Sequence, residues 1–364
     1  MRSLILGMSL ALVGVAQSGC SVFGPSLQGP REGEPGAPPS GGPQPVARAT
    51  QAGSGGAGGE VIGRSERLIV YLPRAGDTLA ALAARFLGRP ADAWQIAEAN
   101  ALRGEPVAGQ ALVIPLAPRN TLGITASGVQ TVPVLCYHRL GTGHSKMIIS
   151  PAKFEEQMAY LANSGYHVVR LSDLRAFMAG ERPLPAKSVV ISFDDGYESV
   201  YRHAFPILKK YNFPATLFMY SDFIGARDAL TWWQLDELAR SGLVDLQAHS
   251  KTHRNLTERE PDESEFDYRK RVDLELRTPR EVFEKRMAAL GAKVRHFAYP
   301  YGSANDVVLE AMQRADYELG LTVNAGGNPF FASPLMLRRT MIYGDHSLAD
   351  FQARLQVQRS LGRP

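Results

Sequence analysis

A pair of neighbouring acids and a pair of histidines are the residues of this chain best suited to chemistry. Asp194 and Asp195 follow an apolar run that ends at Phe193, and Gly196 comes next, which is typical of a buried strand that ends in a turn. Alternation along a strand turns neighbouring side chains in opposite directions. One carboxylate would therefore bind a cation while the other accepts a proton from water, which is the chemistry of a hydrolase.

The two histidines lie four positions apart in the segment HSKTH. On a helical turn, His249 and His253 would place both imidazoles on one side, where they would bind the same ion. Two histidines and one aspartate leave coordination positions open for water and for a substrate oxygen. Together with the two aspartates, they predict a catalytic metal site; solvent-facing or capping histidines are the alternative.

Strand-like and helical segments alternate beyond residue 131. Strand signals lie at residues 132–137, 189–193, 215–220, 244–248, 296–300, 317–323 and 337–343, with helical patterns such as 279–290 between them. This alternation predicts a mostly parallel sheet of the (β/α) barrel type. Active sites of such barrels lie at the carboxyl ends of strands, and His138, the two aspartates and His249 all follow predicted strands.

Residues 66–118 predict a smaller unit with the element order βααβ. Strands at 68–72 and 112–114 enclose helices at 78–86 and 91–99. The segments VYLPRAGDTLAALAARF, IAEAN and GQALVIP resemble the lysin motif (LysM), a module that binds polymers containing N-acetylglucosamine. The resemblance implies a shallow sugar groove at residues 76–79 and 100–106. Turns and helix caps are the purely structural alternative there.

The amino-terminal residues predict export. Residues 1–19 contain an early arginine, an apolar stretch and then small residues, which is the layout of a secretory signal. The Ser-Gly-Cys sequence that ends at Cys20 resembles a bacterial lipoprotein signal, with Gln17 as a departure, and implies an acylated cysteine as membrane anchor. A simple secretory signal is the alternative, and both place the protein in the cell envelope or outside the cell. Residues 20–65, rich in glycine and proline, predict a flexible linker, and residues 119–131 a connector.

Composition limits the remaining function classes. The 364 residues are 45% hydrophobic and carry a net charge of +4 from 40 basic and 36 acidic side chains. A basic stretch interleaved with aromatics is absent from the sequence, so a nucleic-acid partner is not expected. The two cysteines, Cys20 and Cys136, occur in such different surroundings that no disulfide between them is expected.

Residues 132–364 resemble the NodB-like polysaccharide deacetylases, which form carbohydrate esterase family four. SFDDG resembles the first motif of that family, HSKTH the second and FAYPYG the third, and VPVLCYHRL resembles its opening strand. The resemblance implies a distorted (β/α) barrel of the NodB type. It also implies that Asp194 is the general base and that Asp195, His249 and His253 bind a divalent ion, zinc or a similar one.

The third motif implies further site residues. By the resemblance, the backbone amide of Tyr301 helps to hold the oxyanion, and Tyr299, Pro300 and Gly302 shape one wall of the substrate groove. The motif normally begins with an arginine that pairs with the catalytic aspartate. This chain has Ala298 there, so the base is predicted to lack the partner that would orient it and lower its pKa.

The chain also departs from the family pattern at the residue that would serve as general acid. A Leu-x-His pattern, which usually brings that residue, is absent near the C-terminus, where His346 is the only histidine. His138, at the end of the first predicted strand, is the preferred catalytic candidate over His346. A histidine there would otherwise act as a cap or hydrogen-bond donor.

The predicted function is metal-dependent N-deacetylation of a polymer that contains N-acetylglucosamine, with peptidoglycan or a poly-β-1,6-N-acetylglucosamine exopolysaccharide as the substrate. The LysM-like module would keep the enzyme on that polymer. Two alternatives remain open. One is an O-acetyl esterase acting on a xylan-type polymer, and the other is a non-catalytic cell-wall-binding lipoprotein, suggested by Ala298 and the missing general acid.

Overall fold

The computed structural model describes residues 58–117 and 120–360. The predicted signal sequence, Cys20 and the greater part of the predicted linker therefore lie outside the described residues. Within the described part of the chain, no helix combines the length and apolar character needed to span a bilayer.

The first elements form a three-stranded antiparallel sheet with two helices. They are β1 (Glu60–Arg64), β2 (Leu68–Leu72), α1 (Leu79–Leu87), α2 (Ala93–Ala99) and β3 (Leu112–Pro115), with sheet order β1-β2-β3. The order from β2 to β3 agrees with the predicted βααβ arrangement, and its core contains Tyr71, Leu82 and Ile96. The prediction of a linker up to residue 65 is wrong at β1. That strand is short and almost wholly exposed, so it has no buried face that an alternation of apolar residues would mark in the sequence.

The remaining strands are β4 (Ile124–Thr125), β5 (Gly128–Gln130), β6 (Val132–Tyr137), β7 (Arg139–Leu140), β8 (Ile148–Ile149), β9 (His167–Val168), β10 (Ser188–Phe193), β11 (Ala215–Met219), β12 (Val244–Ala248), β13 (His296–Ala298), β14 (Leu319–Leu321), β15 (Gly327–Asn328), β16 (Thr340–Met341) and β17 (Gln358–Arg359). The remaining helices are α3 (Pro151–Asn163), α4 (Leu171–Met178), α5 (Phe205–Tyr211), α6 (Trp232–Arg240), α7 (Glu265–Arg286), α8 (Asp306–Arg314) and α9 (Leu348–Ala353).

The central sheet is curled and mostly parallel, which is consistent with the predicted distorted barrel. Its strands lie in the order β14-β13-β12-β11-β10-β6-β15, in which β15 is antiparallel to β6, and β16 also pairs with β6, in parallel. Leu337, just before β16, forms a parallel bridge with Leu321 of β14. The segment from Leu337 to Met341 therefore joins the two ends of the parallel sheet, and the carboxyl ends of its strands face one region.

Helix α7 begins well before residue 279, where the sequence pattern placed its start. Ser264 caps it by accepting a hydrogen bond from the Asp267 amide at 3.1 Å. Its buried residues Tyr268, Val272 and Leu276 recur every four positions, although the segment is highly charged overall. Pro279 lies inside the helix. Proline is well suited to a first helical turn, which explains why the sequence alone places the start there.

Candidate metal centre and catalytic base

Asp195, His249 and His253 come together in the structure, as the sequence predicts. One oxygen of Asp195, Oδ1, lies 3.2 Å from His253 Nε2 and 3.6 Å from His249 Nε2. Asp195 follows β10 and His249 follows β12, so the carboxyl ends of two parallel strands supply two of the three groups. The ligand atoms of all three residues lie within 4.8 Å of one another, which suits a single ion.

His249 is fixed from both sides. Its backbone amide donates to Met219 O at 2.8 Å, and its ring atom Nδ1 lies 2.7 Å from the carbonyl oxygen of Ala298. Because a carbonyl only accepts, Nδ1 must carry the proton, which leaves the lone pair of Nε2 directed toward Asp195. Burial lowers the pKa of His249 and favours the neutral ring that binds metals.

His253 reaches the same point by a different route from the predicted helical turn. The HSKTH segment is a loop in which both Ser250 and His253 have positive φ, at 72° and 63°. The His253 ring packs against Tyr220 and Tyr301, with centroid distances of 5.2 and 5.0 Å. The loop reverses the chain, so the two imidazoles converge although the segment is not helical.

The residues present fit a divalent cation. Asp195 Oδ1 is buried and has no hydrogen-bond donor among the described residues, although it faces two imidazole nitrogens. An unsatisfied buried acceptor is costly unless a cation or donor compensates it. One carboxylate and two imidazoles are a donor set typical of zinc and similar ions, and this set leaves positions open for other ligands.

Asp194 is also buried, and it has an ionic partner that the sequence analysis did not find. Its Oδ1 accepts a hydrogen bond from Arg339 Nη1 at 2.6 Å, and its Oδ2 lies 3.4 Å from the thiol of Cys136. Burial alone would raise the pKa of Asp194, but the Arg339 guanidinium, followed by His249 and His138, holds that pKa well below its ordinary value. The prediction that Ala298 leaves this carboxylate without a partner is therefore wrong.

Arg339 lies in the segment that joins the two ends of the parallel sheet. Its side chain is fully buried, and Nε donates to Thr322 O at 2.9 Å. Neighbouring Arg338 is exposed, as expected from strand alternation. The sequence carries a signal for this role, because Arg339 shares a face with buried Leu337 in a predicted strand, where a charged residue needs a partner.

The two candidates for the general acid occupy different surroundings. His138 is half-buried, and one of its ring nitrogens lies within 4.8 Å of ligand atoms of Cys136 and Asp194. His346 instead accepts from the Tyr343 amide at 3.1 Å and lies 2.9 Å from Arg354 Nη2. The structure therefore places His138 beside the buried carboxylate, whereas the ring of His346 contacts Tyr343 and Arg354.

The third predicted motif divides into buried and exposed residues. Tyr299 is fully buried and donates its hydroxyl hydrogen to Leu335 O at 2.8 Å, and Pro300 is buried as well. Their side chains pack in the protein interior, which differs from the predicted groove wall. Tyr301 is 63% exposed and contacts His253, so it lies at the rim of the site. Gly302 has φ of 75°, and a Cβ there would lie 2.4 Å from Val323 Cγ2, so it shapes the backbone.

The comparison with protein families finds a similarity over part of the chain. Residues 181–320 match the family model for polysaccharide deacetylase, so the site lies in a segment that is similar to hydrolases of that family. Asp194, Asp195, His249 and His253 lie inside the matched residues. Arg339 lies outside them.

Three curated relatives resemble the chain over part of their length. The poly-β-1,6-N-acetyl-D-glucosamine N-deacetylase of Escherichia coli K12 is 29% identical over 241 residues, 56% of this chain and 35% of the relative. The protein of that name from Staphylococcus epidermidis is 30% identical over 186 residues, 48% of this chain and 61% of the relative. The putative polysaccharide deacetylase YxkH of Bacillus subtilis is 28% identical over 195 residues, which are 54% of this chain and 65% of the relative. The chain thus spans between about a third and two thirds of the relatives' length.

Two solved structures share the fold. IcaB from Ammonifex degensii is 29% identical with a TM-score of 0.55, over 63% of this chain and 98% of that chain. The Streptococcus pyogenes deacetylase PplD in complex with acetate has a TM-score of 0.56 at 24% identity, over 62% of this chain and 98% of that chain. At this lower identity, the second similarity concerns the fold alone.

Proposed function

We propose that this protein is a metal-dependent N-deacetylase that hydrolyses the acetamide groups of a polymer containing N-acetylglucosamine. One observation carries the proposal. The imidazoles of His249 and His253 converge on a buried and unsatisfied carboxylate oxygen, Asp195 Oδ1, and a second carboxylate, Asp194, lies beside them without belonging to the set. The non-catalytic alternative was based on Ala298 and on the missing general acid. The first of these observations no longer supports it, because Arg339 supplies the ionic partner that Ala298 cannot.

The proposed roles follow from the positions of the side chains. Asp195, His249 and His253 would hold a divalent ion, zinc or a similar one, which when bound would polarise the acetamide carbonyl and lower the pKa of water. Asp194 stays ionised because its pKa is depressed, and it takes the proton from the attacking water. His138 then gives a proton to the departing amine, and the Tyr301 amide donates to the oxyanion. The products are a free amine on the polymer and acetate.

The names of the relatives favour an exopolysaccharide substrate. Two of them are poly-β-1,6-N-acetyl-D-glucosamine N-deacetylases, and we extend that substrate class to this chain as a proposal. The βααβ unit resembles LysM, and this resemblance supports peptidoglycan as the second candidate. We also propose export by residues 1–19 and membrane attachment through Cys20. The mass of the mature amino-terminal peptide would distinguish an acylated cysteine from simple signal cleavage.

Acetate release from a panel of glycans tests the function. We expect the purified protein with added zinc to release acetate from poly-β-1,6-N-acetylglucosamine, and a chelator to abolish the release because the cation leaves its three protein ligands. Restored zinc should recover the activity. Release from acetylated xylan but from neither N-acetylated polymer would instead select the esterase. No release from any glycan by the zinc-loaded protein would favour the non-catalytic binding protein.

Deletion of the amino-terminal βααβ unit tests its proposed anchoring role. The deletion must cover residues 58–117, because β1 pairs with β2 and would otherwise be left without its sheet. We expect activity on insoluble polymer to fall roughly tenfold or more, since tethering raises the local concentration of substrate. Activity on short soluble oligomers should change little. An equal loss on both substrates would contradict the anchoring role.

A further inference from the structure

Glu275 is a buried carboxylate that the proposed chemistry does not use. It lies on α7 and is 4% exposed. Its Oε2 accepts from the backbone amides of Lys251 and Thr252 at 3.0 and 2.9 Å, and its Oε1 accepts from the Thr252 hydroxyl at 2.7 Å. All three bonds go to the loop between His249 and His253.

That loop has an unfavourable backbone conformation. Ser250 and His253 both adopt left-handed φ, which residues other than glycine avoid. Such conformations persist only when the surroundings hold them. The Ser250 hydroxyl accepts from the His253 amide at 2.8 Å within the loop. From outside, the amides of Ser221 and Asp222 donate to the carbonyls of Ser250 and Lys251, while Glu275 binds the amides of both residues between Ser250 and His253. Three hydrogen bonds from one side chain thus fix the loop at two neighbouring residues.

The two histidines depend on this carboxylate to different degrees. His249 directly follows β12, and its ring is held by the Ala298 carbonyl, so its position does not require the loop. His253 lies on the far side of the two amides that Glu275 binds. Without Glu275, the loop can relax, and His253 Nε2 would move away from Asp195 Oδ1.

We infer that Glu275 is a positioning residue of the metal centre, which presets the loop so that His253 completes the ligand set. The inference rests on the proposed metal site and adds a residue that touches none of the ligand atoms. Groups that orient metal ligands commonly change affinity by about 10- to 100-fold when they are removed.

The affinity of the purified apoprotein for zinc, measured by competition with a chromogenic chelator, tests the inference without an activity assay. We expect Glu275→Ala to bind zinc about 10- to 100-fold more weakly than wild type. Glu275→Gln retains a neutral acceptor oxygen and should give a smaller loss. Thr252→Val removes one of the three bonds and should also give a smaller loss.

Glu284 offers a matched control on the same helix. Its Oε1 accepts from the Val294 amide at 3.0 Å, so Glu284→Ala also removes a carboxylate that binds a backbone amide, but away from the HSKTH loop. This variant should bind zinc as wild type does. A combination with His253→Ala gives a further check, because Glu275→Ala should add almost nothing once the third ligand is absent.

The outcomes separate the inference from the proposed function. If wild type takes up no divalent metal, the proposed function fails. If wild type binds zinc and Glu275→Ala binds it equally well, the inference is overturned while the function stands. If Glu275→Ala does not fold, wild-type affinity in both Glu275→Gln and Thr252→Val overturns it, and a graded loss in both supports it.

Discussion

Replacing Asp194 with asparagine is expected to reduce acetate release about 10²- to 10⁴-fold, the range typical of a lost general base. The amide cannot take the proton from the attacking water, whereas Asp195, His249 and His253 remain in place to bind the ion. Zinc uptake should therefore persist in Asp194→Asn. Initial rates of acetate release and zinc binding of the same purified sample provide the two measurements.

Asp195→Asn is the companion variant, since it changes the neighbouring carboxylate. It should lose zinc affinity and activity together, because its oxygen faces both imidazoles. Asp194→Asn also leaves the buried Arg339 unpaired, so its thermal stability must be measured beside its rate. Turnover within tenfold of wild type in folded Asp194→Asn would remove this residue from the proposed mechanism.

Replacing Arg339 with methionine is expected to destabilise the fold by about 3–5 kcal/mol, the usual cost of breaking a buried ion pair from one side. The loss leaves Asp194 buried without the guanidinium that most strongly opposes the effect of burial, so the pKa of Asp194 rises. The base would then be protonated at a higher pH. We expect the acidic limb of the pH-rate profile to move to higher pH in Arg339→Met.

The pH dependence of stability follows from the same pair. In the folded wild type the pKa of Asp194 lies below its ordinary value of 3.8, so the pair stabilises the protein above that pH and the contribution is lost as the pH falls toward the depressed pKa. The stability difference between wild type and Arg339→Met should therefore shrink in acid. Arg338→Met removes the exposed neighbour and should leave both profiles unchanged. Unchanged profiles in Arg339→Met would contradict the role of the pair.

Local patterns were sufficient to predict most of the site. The four residues lie in two short segments, each of which begins directly after a strand of the parallel sheet: Asp194 and Asp195 after β10, and His249 and His253 after β12. The carboxyl ends of such strands lie on the same side of the sheet. The conformation of the HSKTH loop was not predictable in this way. The residues between its two left-handed positions bind Glu275, which comes from a helix whose first half has the pattern of a charged surface segment.

Arg339 shows why the remainder could not be predicted from motifs. The predicted loss of a partner at Ala298 assumed that the arginine must come from the strand that supplies the third motif. The sheet brings Asp194 and the segment before β16 together through β6, which pairs with both β10 and β16. Such a contact depends on sheet order, which the sequence pattern leaves open.

Arg339 lies in the segment that joins the two ends of the parallel sheet, and this position has a consequence for truncated forms of the protein. A fragment limited to the residues that match the family model would retain Asp194, Asp195, His249 and His253, yet it would lack Arg339, the counter-charge of its base, as well as His138. The ionisation of Asp194 is thus tied to completion of the sheet by a late part of the chain. A protein truncated before residue 337 would retain the three proposed metal ligands and still lack the cation that keeps its base ionised.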